Sequence, residues 1–141
     1  MISLKQYEIA PTLPKSFTWD AEDLWARPAW RMKVADKTTK AFQQATENLV
    51  IDDDFLNSYN HGDIENIGLQ QLADDMREEL QHGSGVVWLQ GIPATEFSVA
   101  QMKFFYLAVG AAIGQCMETY GRLYDVRDYG GSYKKERIPV S

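Results

Sequence analysis

The sequence predicts an α+β fold, in which helices pack against the first strands of a sheet. An amphipathic helix is predicted over residues 67–82, with acidic side chains opposite its apolar stripe. A continuous apolar run at Val86–Gln90 predicts a strand that is covered on both faces. Ser98 and Gln101 then form a capping-box pattern, which predicts a second helix that ends at Gly114. The predicted inward face of this second helix consists of Met102, Phe105, Tyr106, Val109 and Ile113. The apolar stripe of the first helix consists of Leu69, Leu72, Ala73, Met76 and Leu80. Gly83 is expected to end this helix in the left-handed conformation.

Residues 1–83 are predicted to be mainly helical after an extended lead-in. Acidic residues in the stretch Trp19–Trp30 favour a helix start, and Pro28 interrupts that helix. A further helix is predicted from a cap at Asp36 to about Leu49. The polar residues 52–62 are expected to connect it to the next helix.

Composition indicates a globular chain. Its 141 residues suit one domain, and 45% apolar with 12% aromatic residues argues against disorder. The only cysteine, Cys116, excludes an intrachain disulfide, which fits a reducing compartment. The first residues lack a secretory pattern, and the apolar runs are shorter than the ~20 residues that span a bilayer. We therefore expect a soluble cytoplasmic protein.

The net charge of −6 is unevenly distributed. Residues 52–79 carry nine acidic residues against Arg77, whereas residues 122–137 carry five basic residues and three acidic ones. This polarity disfavours nucleic acid near the acidic part and favours an anion near the basic tail. Either patch can also be an ordinary solvated surface.

Several motifs could carry chemistry, and each has a simpler structural interpretation. His61-Gly62-Asp63 has the His-x-Asp spacing of a non-haem iron site, but it lies in a polar loop, and the other histidine, His82, is 21 residues away. The acids of residues 52–54 lack the pattern of an EF-hand loop. Cys116 has no histidine nearby to act as a base, and Gly130-Gly131 lacks the context of a phosphate-binding loop.

The order of motifs after residue 84 resembles one known family. A glycine-bounded strand, Gly85 to Gly91, is followed by Pro93, by a helix that ends at Ile113-Gly114, and by a Gly-x-Leu-x-x-Val strand over Gly121–Val126. This order resembles the front of the catalytic core in TauD/TfdA-like (clavaminate-synthase-like) iron(II)/2-oxoglutarate oxygenases. The resemblance covers about the last two-fifths of the chain.

The resemblance implies helices packed on the first strands of an incomplete double-stranded β-helix, or jelly roll. Residues 1–83 would be the helical N-terminal region, and residues 84–141 would begin the oxygenase core with a strand, a helix, a strand and a lid-like tail. Together they would form one incomplete domain. Its partner would be the missing C-terminal part of the core.

The resemblance also implies the cofactors and the reaction. Family members hold iron(II) with a His-x-Asp/Glu pair and a distant histidine, and bind 2-oxoglutarate through a basic residue near the C-terminus. These positions lie downstream of the matching region, so we expect no catalytic residue in this chain and no activity from the chain alone. His61 and Asp63 precede the matching strand, which places them wrongly for the ligand pair. The complete enzyme would oxidise a small polar metabolite, such as an amino acid or an amine-bearing precursor.

The segment from Arg122 to Asp128 alternates charged side chains on both faces of a predicted strand. In the family the corresponding strand leads to the mouth of the active site. The candidate substrate contacts are therefore Tyr124, Asp125, Arg127 and Asp128. The competing interpretation is an edge strand with ordinary surface ion pairs.

A second function class remains open at this point. A non-catalytic α+β binding or assembly module could use the many aromatic residues to bury a partner. Neither class requires a nucleic acid or a membrane, and both are compatible with a homo-oligomer.

Overall fold

The structure is a computed structural model that describes residues 17–60, 63–116, 122–123 and 125–126. The described residues form five α-helices, one short 3₁₀ helix at Pro28–Trp30, and two strands. The helices are α1 (Ala21–Ala26), α2 (Asp36–Thr46), α3 (Asp53–Ser58), α4 (Gln70–His82) and α5 (Val99–Ile113). The strands are β1 (Arg31–Lys33) and β2 (Trp88–Gln90).

The predicted fold class is wrong for these residues. The described part of the chain is mostly helical, and its two strands form one short parallel pair with no double-stranded β-helix. Each strand has only three residues, so the sheet is too small to be a layer on which the helices could pack. The helices instead bury their apolar sides mainly against one another.

Side-chain caps fix where three of the helices begin. The Asp20 carboxylate accepts a hydrogen bond of 2.8 Å from the Asp23 amide at the start of α1, and Asp52 caps α3 in the same way. The capping box predicted for α5 is confirmed. The Ser98 hydroxyl accepts from the Gln101 amide at 3.0 Å, and the Gln101 side chain accepts from the Ser98 amide at 2.9 Å.

Aromatic side chains from several elements form the core. Phe42 of α2 is fully buried, and its ring centroid lies 5.3 Å from that of Phe97 and 5.7 Å from that of Phe104. From α4, Leu72, Ala73 and Met76 face this core, as the apolar stripe predicted. These contacts hold α2, α4 and α5 around one interior.

The inward face of α5 agrees with the prediction only in part. Phe105 and Val109 are buried as predicted, but Tyr106 is 73% exposed and Ile113 is also exposed. Phe104, Leu107 and Ala108 are buried as well. Because α5 is apolar around most of its circumference, its sequence did not determine which side faces the core.

The two strands pair in parallel, with Arg31 opposite Trp88 and Lys33 opposite Gln90. Met32 and Leu89 face the interior, while the other four side chains are exposed, so the prediction of a strand covered on both faces is wrong.

The C-terminal end of α4 also differs from expectation. Gly83 has φ −98° and not the left-handed conformation, and the Glu79 carboxylate accepts from the Ser84 amide and hydroxyl there.

None of the described helices is long and apolar enough to cross a membrane.

Candidate functional site

An apolar groove runs along α5 and is the first candidate site. It has a volume of about 590 Å³ and lies between α5, β2 and the two residues Leu123 and Asp125. Its walls include Leu89 of β2 and Val87 just before that strand, Met102 and Tyr106 of α5, and Leu123. We call it the α5 groove. Its apolar walls suit an apolar segment or side chain better than a charged metabolite.

One ion pair lies at the edge of the α5 groove. The Lys103 ammonium and the Asp125 carboxylate are 3.7 Å apart, and both side chains are substantially exposed. A pair this exposed contributes little stability. The two groups supply one donor and one acceptor beside an apolar surface.

Asp125 is the only candidate substrate contact that the structure describes. It is exposed, and its segment carries no strand assignment at residues 122, 123, 125 or 126. Its pairing with Lys103 agrees with the interpretation as an ordinary surface ion pair. Tyr124, Arg127 and Asp128 lie outside the described residues.

A second cleft, of about 800 Å³, lies at the C-terminal end of α5. Arg77 donates to the Ala112 carbonyl at 2.5 Å and contacts Asp74 at 3.2 Å. Arg122 donates to the carbonyls of Tyr59 and, at 3.4 Å, Leu56. Both guanidinium groups therefore donate hydrogen bonds to carbonyls at helix ends, which stabilises those ends. The sequence did not predict this role.

Tyr59 has the most perturbed titrating group among the described residues. Its ring packs against Phe104 with centroids 5.0 Å apart, and its buried hydroxyl has no hydrogen-bond partner. Burial, together with the nearby Asp63 carboxylate, raises the pKa of Tyr59 to about 12. The hydroxyl is therefore neutral at physiological pH and cannot act there as a base.

The structure brings no candidate metal ligands together within the part of the chain that it describes. No group of three or more His, Cys, Asp or Glu side chains is placed to hold an ion there. Asp63 is exposed, and His61 lies outside the described residues. Asp52 caps α3, and His82 lies 3.1 Å from Glu78 on the exposed side of α4. Cys116 is half-buried in the cleft beside Arg122.

Comparison with known proteins adds no family assignment. A scan against protein-family models, a search of curated proteins and a search of solved structures each found no match. The family resemblance therefore depends on the motif residues of the chain itself.

Proposed function

We propose that this chain is the N-terminal part of an iron(II)/2-oxoglutarate-dependent dioxygenase that oxidises a small polar metabolite. The supporting observation is the glycine-bounded strand motif followed by α5. Gly85 and Gly91, at the two ends of the motif, have φ values of +79° and +82°. Residues other than glycine rarely adopt a positive φ of this size, so the backbone conformation explains why both positions are glycine.

The turn after the strand leads into the remaining residues of the motif. A Cβ atom at Gly91 would lie 3.2 Å from the exposed Lys33 side chain, which would have to shift slightly to admit it. Pro93 and the Ser98 cap then lead into α5, which ends at Gly114. Leu123 packs back against the core beyond that end. β2 and α5 thus follow one another in the order of the motif, whereas residues 122, 123, 125 and 126 form no strand.

In the proposed enzyme these residues support the site and do not perform the chemistry. Bound iron(II) and 2-oxoglutarate would supply the oxidising chemistry, with their ligands in another part of the protein. The described helices would brace that part. Asp125 and its neighbours would form one side of the substrate entrance. Amino acids and amine-bearing precursors are the substrate class that the proposal favours.

The experiment begins with the reading frame that encodes the chain. We expect it to continue beyond Ser141 into a His-x-Asp/Glu pair, a distant histidine and a basic residue. The extended protein should release labelled CO₂ from 1-labelled 2-oxoglutarate, and only with iron(II) present. A frame that stops at Ser141, or an extended folded protein without iron-dependent turnover, would overturn the proposal.

The alternative function is a non-catalytic binding or assembly module. The observation that favours it is the α5 groove, whose outer wall includes Tyr106, a large side chain that is 73% exposed. Exposed apolar surfaces of this kind commonly contact another protein. The reading frame separates the two functions, since a module needs no iron ligands downstream.

A further inference from the structure

The outer side of the two-stranded sheet combines aromatic and basic side chains on one surface. Arg31 and Lys33 of β1 lie directly opposite Trp88 and Gln90 of β2, and Trp25 of α1 lies beside Arg31. We call this surface the basic–aromatic face. Trp25 is 54% exposed and Trp88 is 48% exposed. Parallel strands are usually covered on both sides, so an open face of this composition suggests a partner.

The aromatic rings of this face are fixed before any partner arrives. The indole of buried Trp30 donates to the Leu24 carbonyl at 2.7 Å, and its ring stacks on Trp88 at 6.0 Å between centroids. The Arg31 guanidinium lies 4.9 Å from the Trp25 ring centroid and 5.6 Å from that of Trp30. Arginine and tryptophan dominate the binding energy of protein interfaces, and pre-ordered side chains lose less entropy on binding.

The charge of the face identifies the chemistry of its partner. Arg31 and Lys33 are both exposed on this face, although the chain as a whole has a net charge of −6. A partner that presents carboxylates would be attracted to this face over distances of about 10 Å at moderate salt.

The same chain carries a matching acidic surface on α4. Asp74, Asp75 and Glu78 occupy the exposed side of this helix, opposite the buried Leu72 and Met76. We call this the acidic α4 face. Asp74 and Glu78 contact Arg77 and His82, whereas Asp75 accepts a hydrogen bond from the neutral Gln71 amide at 2.8 Å, so its charge is not neutralised by that contact.

The spacings of the two faces also agree. Arg31 and Lys33 are two residues apart on a strand, which separates them by about 6.5 Å. Asp75 and Glu78 are three residues apart on a helix, which separates their Cβ atoms by about 5–6 Å. An α4 helix lying along β1 could therefore pair both charges while its side chains cover Trp25 and Trp88.

We propose that the basic–aromatic face binds the acidic α4 face of a second copy of this chain. Because the two faces are different patches, the contact is heterologous. Each copy carries both faces at separate places, and one contact joins the basic–aromatic face of one copy to the acidic α4 face of the other. The association requires neither iron nor 2-oxoglutarate, so its test is independent of the proposed oxygenase function.

Sedimentation velocity over a range of concentrations tests the proposal. The unmodified chain should self-associate, and raising NaCl from 50 to 500 mM should weaken association at least fivefold. Arg31→Glu and Asp75→Arg should each weaken it at least tenfold. Mixing the two variants should restore a 1:1 complex, because Arg31→Glu leaves the acidic α4 face intact and Asp75→Arg leaves the basic–aromatic face intact.

Two matched variants control for the change in net charge. Lys37→Glu on α2 and Glu65→Arg before α4 alter exposed residues outside both faces and should leave association unchanged. Circular dichroism melts should confirm that all four variants are folded. Trp88→Ala supplies a second test, since it should weaken association without changing net charge. A monomeric unmodified chain, or a mixture that shows no complex, would overturn the proposal.

Discussion

Phe42 is the residue on which the described core depends most. Its ring is fully buried and contacts Phe97, Phe104 and Phe105 from two other parts of the chain. Phe42→Ala should therefore lower the free energy of unfolding by about 3–5 kcal/mol, because it removes apolar contacts and leaves a cavity. Urea denaturation measures this change. Tyr106→Ala, at an exposed aromatic position on α5, is the control and should cost less than about 0.5 kcal/mol.

Tyr59 should make stability depend on pH in alkaline solution. Its ordinary pKa of 10.0 rises to about 12 in the folded chain. Between these values the unfolded state loses the tyrosine proton first, so stability falls as the pH rises from about 10 to 12. The contribution is complete below pH 10 and amounts to at most about 2–3 kcal/mol.

Tyr59→Phe isolates this contribution. The variant removes the titrating hydroxyl, which has no hydrogen-bond partner, so its stability at pH 7 should be unchanged or higher. Chemical denaturation of both proteins at several pH values would show the difference. Parallel stability curves from pH 9 to 12 would contradict the altered pKa of Tyr59.

At the scale of elements, α4 offers the clearest test of packing. Leu72 and Met76 are buried on its inner side, whereas Glu78 is exposed. Leu72→Asp or Met76→Asp should cost several kcal/mol by placing an unpaired charge in the core. Glu78→Ala should be nearly silent in the same thermal melts. Equal shifts in all three variants would mean that α4 is not packed through this side.

The same two helices show what the sequence could and could not predict. The polar outer side of α4 identified its buried face, and the Ser98–Gln101 box identified the start of α5. The inward face of α5 was predicted only in part, because apolar side chains surround the helix. The parallel pairing of β1 with β2 was not predictable either. It joins residues 57 positions apart in the register Arg31 to Trp88, and no local pattern encodes that distance.

At the scale of the whole molecule, long-range contacts also limited the prediction of sites. Arg77 and Arg122 meet carbonyls at the ends of α5 and α3, and nothing in their local sequence indicated these partners. Asp125 was selected from strand alternation, but its described neighbours form no strand, and its partner Lys103 comes from α5. Side-chain type identified candidate residues, while their partners depended on the packing of separate elements.

The proposed oxygenase function, with its iron and 2-oxoglutarate ligands outside this chain, makes a prediction for the chain alone. Anaerobic calorimetry of the 141-residue chain with iron(II) and 2-oxoglutarate should show no tight stoichiometric site, because the resemblance places the ligands elsewhere in the protein. His61-Gly62-Asp63 is the motif that could contradict this expectation, since an imidazole and a carboxylate at this spacing can share one iron. His61→Ala is therefore the decisive variant. His82→Ala is its control, because His82 is exposed on α4 beside Glu78. A sub-micromolar site that is lost only in His61→Ala would assign iron binding to this chain and would refute the placement of the ligands outside it.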